Sequence, residues 1–179
     1  MIFESFAPFA PCEFQIKFAV ESWERKAAAA LRRKVFCEEQ GLFGGDDRDR
    51  TDEIAIALVA VSFVGVAPDE VVGTVRIHEA EPGVWWGSRL AVADGYRRIG
   101  ALGAGLIRLA VCSAHARGCK RFLAHVQAQN VPMFGKLHWR TLDERELHGR
   151  HHHLMEADLD FYPPFAAPET GFVALRKAA

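Results

Sequence analysis

Residues 89–105, RLAVADGYRRIGALGAG, decide how this chain is read. A short apolar strand leads into a turn with two arginines, and the turn passes through three glycines into the apolar helix LIRLAVC at 106–112. The first turn of a helix leaves several backbone N–H groups unpaired and carries the positive end of the helix dipole. Glycines there admit a ligand close to the backbone, so the segment suits a pyrophosphate, with Arg97 and Arg98 as charged donors. An ordinary packing turn is the plainer account. The paired arginines directly ahead of Gly100, Gly103 and Gly105 favour the anion site.

The same glycines spell G-x-x-G-x-G, which differs from the dinucleotide fingerprint G-x-G-x-x-G. A dinucleotide site also needs an acidic residue at the end of the following strand to hold a ribose. Here that strand reads RFLAHVQ and ends in Gln127, so nicotinamide binding fits poorly.

The segment instead resembles the cofactor signature [Q/R]-x-x-G-x-[G/A] of the GNAT superfamily of acyltransferases. Two registers are open. Arg98-Ile99-Gly100-Ala101-Leu102-Gly103 keeps the helix in phase but places Ala101 at the first glycine; Arg97-Arg98-Ile99-Gly100-Ala101-Leu102 keeps that glycine and loses the last. The first is preferred. Downstream, QAQNVPMFGKLHW at 127–139 resembles the family's N-x-x-(A)-x-x-F-Y-x-K-L-G-F run, and Gly73-Thr-Val-Arg-Ile77 resembles its third strand. Two ordered matches at the family's spacing are far more specific than one glycine turn.

This resemblance implies a single α/β domain over residues 1–179, with a core at 13–162 and an arm at 163–179. Its twisted mixed sheet is flanked by helices and opens between the fourth and fifth strands. It implies acetyl-CoA, or another acyl-CoA, as co-substrate. The pyrophosphate would lie on Arg97, Arg98, Ile99, Gly100, Ala101, Leu102, Gly103 and Ala104, the pantetheine along Leu90, Ala91 and Val92, and Asn130 against the cofactor arm. The implied activity is N-acetyl transfer to an amine of a small molecule or peptide, and a homodimer is a common family outcome. LRRKVFCEEQ at 31–40 is similar to the R-x-x-V-F-x-x-E-Q helix of the ElaA-like branch and, more loosely, of homoserine-lactone synthases. LMEADL at 154–159, followed by Tyr162-Pro-Pro, resembles a GNAT group found near nitrilase genes.

Composition agrees with one compact domain. Of 179 residues, 50% are hydrophobic, enough for a full core. A formal net charge of -1 gives no footprint for nucleic acid or an anionic membrane. No apolar run is long enough to span a bilayer, and the apolar start MIFESFAPFAPCEF lacks the basic head of a signal peptide. Cysteines at 12, 37, 112 and 119 show no metal-ligand spacing, so a reduced, cytoplasmic protein is expected.

Periodicity supplies the elements around the motif. Residues 14–20 alternate as a first strand, and Ser22 is placed to cap a helix through Trp23, Leu31 and Phe36 that stops at Gly41. Residues 46–53 form a charged loop, read as a solvated connection or a lid bringing Asp52 to the acceptor. Strands are expected at 54–64 and 71–78 with a turn at 67–70 between them, then to Val92, at 121–127, near 139–147 and near 153–160. Helices follow the signature turn, ending near Gly118, and follow Asn130. The Pro- and Ala-rich tail reads as an arm on a partner or as loose chain.

Acyl transfer to an amine needs a base for the ammonium and a proton for the departing thiolate. The motif alignment places Phe134 where many family members have the tyrosine acid, and His138 beside it in place of glycine. Another group or water must then protonate the thiolate, or the protein binds acyl-CoA as a sensor. Glu39 is the first candidate base and His125, on the strand beside the expected opening, the second; His78 is weaker. A solvated helix-end carboxylate and a sheet-face histidine are the plainer accounts. Arg76 and Arg89 are candidates to recognise an acceptor carboxylate. His151 and His153 share one strand face while His152 takes the other, so a metal could use two of the three; a solvated turn is favoured and no metal is expected. No histidine or acid stands at a spacing that would activate Cys37, Cys112 or Cys119, so direct attack by the amine is expected.

Overall fold

The computed structural model describes residues 11–176. The start of the apolar N-terminal stretch and the last three residues of the expected arm lie outside them.

Residues of branched and aromatic type form β1 (Glu13–Phe18), β2 (Ile56–Val64), β3 (Ala67–Glu81), β4 (Val84–Val92), β5 (Arg121–Gln127), β6 (Trp139–Leu147), β7 (Arg150–Ala157) and β8 (Phe172–Leu175). Helices α1 (Ser22–Arg33), α2 (Gly100–His115) and α3 (Val131–Lys136) complete the fold. The eight strands lie in one mixed sheet, ordered β6-β7-β5-β4-β3-β2-β1-β8. One face packs on α2 through Phe14, Ile16, Leu58, Val72, Leu106 and Leu109. The other packs on α1 through Ala28, Leu31, Val35, Val59 and Val61.

The feature that positions the site is where pairing stops. β4 and β5 run parallel, joined by the α2 crossover, and pair only from Val84 with Arg121 to Gly87 with Ala124. From His125 onward β5 pairs with β7 alone, and the rest of β4 pairs with β3 alone. The sheet therefore splits open in a V between its fourth and fifth strands, as expected. On β4, Ser88 faces Arg76 and Ala91 faces Thr74, so Arg89 and Leu90 together oppose Val75. This bulge, with Arg89 at φ +57°, bends β4 away at the mouth of the V.

Several local expectations are corrected. Glu21, not Ser22, caps α1 in a reciprocal box with Glu24. Residues 67–70 extend β3, and the turn falls at Gly65, whose φ of +62° suits glycine. The first helix continues past Arg33 as a π-helical turn, Lys34–Glu39. The tail returns to pair β8 with β1 as the edge strand of the sheet, so residues 172–175 are not loose chain. Among the described residues no helix is long and apolar enough to cross a membrane.

Candidate active site

The split in the sheet becomes a cavity of about 310 Å³ that reaches both faces. On the α2 side its wall includes Ile107, Ala110, Phe122, Phe134 and Trp139; on the α1 side it includes Phe36, Gln40, Phe43, Trp86, His125 and His152. The π-helical turn makes the roof on this second side. Widened turns of this kind are rare and frequent at functional sites. Here the turn presents Phe36 and Gln40 to the cavity, and Gln40 is tied across the gap. Its side-chain oxygen accepts from Gln127 Nε2 at 3.0 Å, and its carbonyl accepts from Arg150 Nη2 at 3.0 Å. The helix end thus bridges to β5 and β7 over the opening.

The glycine turn opens α2, the helix whose Ile107 and Ala110 wall the cavity. Helix α2 has no side-chain cap and no acidic residue in its first turn. Among the described residues the N–H groups of Gly100 and Ala101 have no backbone acceptor, since the first bond back is Leu102 N–H to the Ile99 carbonyl at 3.0 Å. A side chain at Gly100 would meet nothing, and one at Gly103 only the Met133 sulfur at 3.9 Å, so packing does not demand either glycine. Gly105 differs: a Cβ there would stand 3.2 Å from Ile16, making it a packing residue. The sequence motif therefore mixes two roles. Gly105 packs, whereas Gly100 to Gly103 present open space and free amides of the kind that would fit an anion.

The two arginines also separate. Arg97 is engaged by the Val92 carbonyl, Asp94 and the Glu39 carboxylate. Arg98 is exposed and forms no hydrogen bond within the described residues, which leaves its guanidinium available to a phosphate. Leu90, Ala91 and Val92 lie on the part of β4 that has lost its β5 neighbour, leaving its backbone groups on that edge open to a ligand strand. Asn130 precedes α3, caps nothing with its side chain, and lines the cavity.

Glu39 and His125 are placed very differently. Glu39 faces solvent outside the cavity wall, its carboxylate held by Arg97. His125 stands on β5 one residue past the last β4 pair, facing the cavity, with its ring centroid 5.1 Å from that of Trp86. Desolvation, then Arg145 and His152, push its pKa below the usual histidine value. His78 also lines the cavity; desolvation and then Arg76 lower its pKa, and its Nδ1 is buried without a partner. Both rings are accordingly neutral near pH 7.

The charged loop is solvated only in part: Asp46, Arg48, Asp49, Arg50 and Glu53 are exposed, but Asp47 is buried and Asp47, Asp49 and Asp52 are tied into ion pairs. Arg32 bonds Asp47 at 2.8 Å and Asp52 at 2.6 Å, Arg76 takes Asp49 through both terminal nitrogens at 2.8 and 2.7 Å, and Arg89 bonds Asp47 at 3.0 Å. Asp52 does not line the cavity; it holds Arg32 and Arg76 from behind. Burial alone would raise its pKa, but donation from Arg32, the Asp49 N–H and Arg76 holds it well below the carboxylate range.

No tyrosine is available as an acid. The chain has two: Tyr96 bonds Glu70 at 2.5 Å, and Tyr162 donates to the Leu137 carbonyl while accepting from Trp139 Nε1. Phe134 lines the cavity, packed edge-on to Trp139. Desolvation raises the thiol pKa of Cys37, of Cys112 and of Cys119, the last to about 11, and none of the three lines the cavity.

The triple histidine divides as strand alternation requires: His152 lines the cavity and is 7% exposed, while His151 and His153 point outward. The donor atoms of Glu144, His151 and His153 lie within 4.8 Å of one another on that outer face, away from the cavity. Sequence reasoning missed the roof. Phe36 and Gln40 are one helical turn apart in the V-F-x-x-E-Q run, a spacing that marks a shared face, and attention to Glu39 passed over them.

Among curated proteins none matches the sequence. Solved structures share the fold: a protein from Lactobacillus plantarum assigned as an N-acetyltransferase (TM-score 0.71, 24% identity, covering 80% of this chain and 97% of that one); Escherichia coli ElaA (TM-score 0.66, 20% identity, 82% and 99%); and FeeM, an N-acyl amino acid synthase from uncultured soil microbes (TM-score 0.64, 14% identity, 84% and 93%). Residues 18–139 match the model of the Acetyltransferase (GNAT) family. With the split sheet, the uncapped glycine turn and this match in agreement, the chain belongs to the GNAT acetyltransferase family, and it is an acyltransferase.

Proposed function

We propose that this protein moves an acyl group from an acyl-CoA, acetyl-CoA in the first instance, to the nitrogen of an amine inside the cavity between β4 and β5. The observation that carries the reading is the continuity of that cavity. Its α2 side is walled by Ile107 and Ala110 of the helix that begins at the unpaired amides of Gly100 and Ala101, and its α1 side holds His78 and His125, both with lowered pKa, under the Gln40 roof. Bound there, the thioester supplies an activated carbonyl carbon. The chain's own residues do the rest. Gly100, Ala101 and Arg98 hold the pyrophosphate, the free edge at Leu90 to Val92 orients the pantetheine, and Asn130 meets the same arm.

His125 is the base. It is neutral at pH 7, faces the cavity, and takes a proton from the incoming ammonium so that the nitrogen lone pair can attack. Phe134 cannot donate a proton, so solvent reaching the cavity protonates the departing sulfur. The buried, high-pKa thiols support a direct attack with no acyl-cysteine.

An amine and acyl-CoA screen read by free thiol tests this. Thiol release that depends on an added amine is expected. Tight acyl-CoA binding without thiol release for any amine would instead make the protein a sensor.

A further inference from the structure

Among the described residues the cavity wall contains no aspartate or glutamate. Its ionisable groups are Arg76, Arg89, His78, His125, His148 and His152, all cationic or neutral. A polyamine or other multiply cationic acceptor would find no counter-charge there, and burying such a charge unpaired is costly.

The two arginines are not equivalent. Arg76 is saturated: its Nε bonds Ser88 at 2.9 Å, and both terminal nitrogens bond Asp49, one of them Asp52 as well. Arg89 bonds Asp47 through Nε and Nη2, at 3.0 Å to the carboxylate and 3.0 Å to the carbonyl, and its Nη2 reaches Asp49 at 3.3 Å. Its Nη1 has no hydrogen-bond partner among the described residues. The guanidinium lies 4.3 Å over the Phe43 ring, and the side chain is only 16% exposed. Asp47, 2% exposed, fixes it from behind. Arg89 therefore offers one pre-oriented, unpaired donor beside an apolar wall of Phe36, Leu42, Phe43 and Trp86.

Resting on the acyl-transfer reading above, we propose that the acceptor is an apolar α-amino acid or a close analogue, an amine with a carboxylate one carbon away. Its carboxylate takes Arg89 Nη1, its side chain lies on the aromatic wall, and its nitrogen faces His125 across the split. The nitrogen forms an amide bond to the acyl carbon as the carbon–sulfur bond breaks. One ammonium proton leaves through His125 to solvent. A second is lost from the nitrogen as the amide forms, and solvent delivers one proton to the sulfur. The products are the N-acyl amino acid, free CoA thiol and one released proton.

The test is a set of matched amines with acetyl-CoA and a medium-chain acyl-CoA: L-phenylalanine against 2-phenylethylamine, L-leucine against 3-methylbutylamine, with spermidine as the cationic control. The expected result is a kcat/KM at least about 10-fold higher for the carboxylate-bearing member of each pair, about the value of one charge-assisted contact. Arg89→Gln should erase that ratio by raising KM for the amino acids while CoA affinity by calorimetry is kept. Equal or better rates with 2-phenylethylamine or spermidine overturn the proposal and leave the acyltransferase reading standing. If no amine releases thiol, the amine-transfer reading fails, and calorimetry on the wild-type protein with CoA then judges the carboxylate site at Arg89 by itself. L-phenylalanine binding without 2-phenylethylamine binding supports that site, and any other pattern rejects it. The wild-type comparison also decides the matter if Arg89→Gln fails to fold.

Discussion

His125 sits where two demands meet. A base must be deprotonated at working pH and must see the substrate, and β5 supplies both by carrying His125 past its last β4 pair into the cavity. His125→Ala should lower kcat by about 10²-fold or more at pH 7 with little change in CoA affinity. Because its pKa is lowered, wild-type kcat/KM should be flat above about pH 6.5 and fall on the acid side as the ring protonates. A stopped assay across pH 5–8 checks both limbs. Glu39→Gln, in contrast, breaks a rim ion pair with Arg97 and should change kcat less than about threefold. If Glu39→Gln abolishes turnover while His125→Ala keeps it, the base is Glu39. The proposed phosphate turn has its own single-residue test: Arg98→Glu would place a like charge beside a pyrophosphate held there and should weaken CoA binding by about 10-fold or more, read by calorimetry.

The elements show why some of this was legible in sequence and some was not. The β4–turn–α2 unit was legible as structure because its geometry is local: strand, arginines and glycines adjoin in the chain, and the strand and the uncapped helix lie where the sequence placed them. The aspartate loop did not. Its partners are 15 to 42 residues away, so Asp47, Asp49 and Asp52 look solvated in sequence and become ion-paired only when α1, β3 and β4 converge. Removing one carboxylate leaves arginines that are 4% and 9% exposed without full compensation. Asp52→Ala should thus cost about 2–4 kcal/mol, discounted for the partial exposure of Asp52. Asp49 and Asp52 both have lowered folded pKa values. Their stabilisation is therefore full above the unfolded value near about 4 and is lost as pH falls through the folded values. Wild-type melting temperature should hold down to about pH 5 and drop below about pH 4, with a shallower drop in Asp52→Ala. β8 was hidden for a different reason. Four residues after Gly171 carry too little periodicity, yet that glycine, at φ +66°, brings the strand so close that a Cβ would stand 1.8 Å from the Ile16 carbonyl. Gly171→Ala should detach β8 and expose the β1 edge to proteolysis.

At the scale of the whole molecule, one cavity joins the two faces of the sheet, and so ligand occupancy should be felt globally. The walls come from β3, β4, β5, β6, β7, α2, α3 and the π-helical turn. Anything that binds only the folded state stabilises it by RT ln(1 + [L]/Kd), about 2.7 kcal/mol at a hundredfold excess over Kd. For a chain of this length each kcal/mol raises Tm by about 2–4 °C, so saturating CoA should raise it by roughly 5–10 °C. NAD should raise it far less, since Gln127 ends β5 where a ribose-binding acid would be needed. Arg98→Glu should require roughly ten times more CoA for the same rise, whereas His125→Ala should match wild type. A protein that NAD stabilises as well as CoA would have its cofactor turn misassigned. One in which His125→Ala and Arg98→Glu shift the CoA response equally would have its binding and chemical functions on the same residues, against their proposed separation between the α2 and α1 faces.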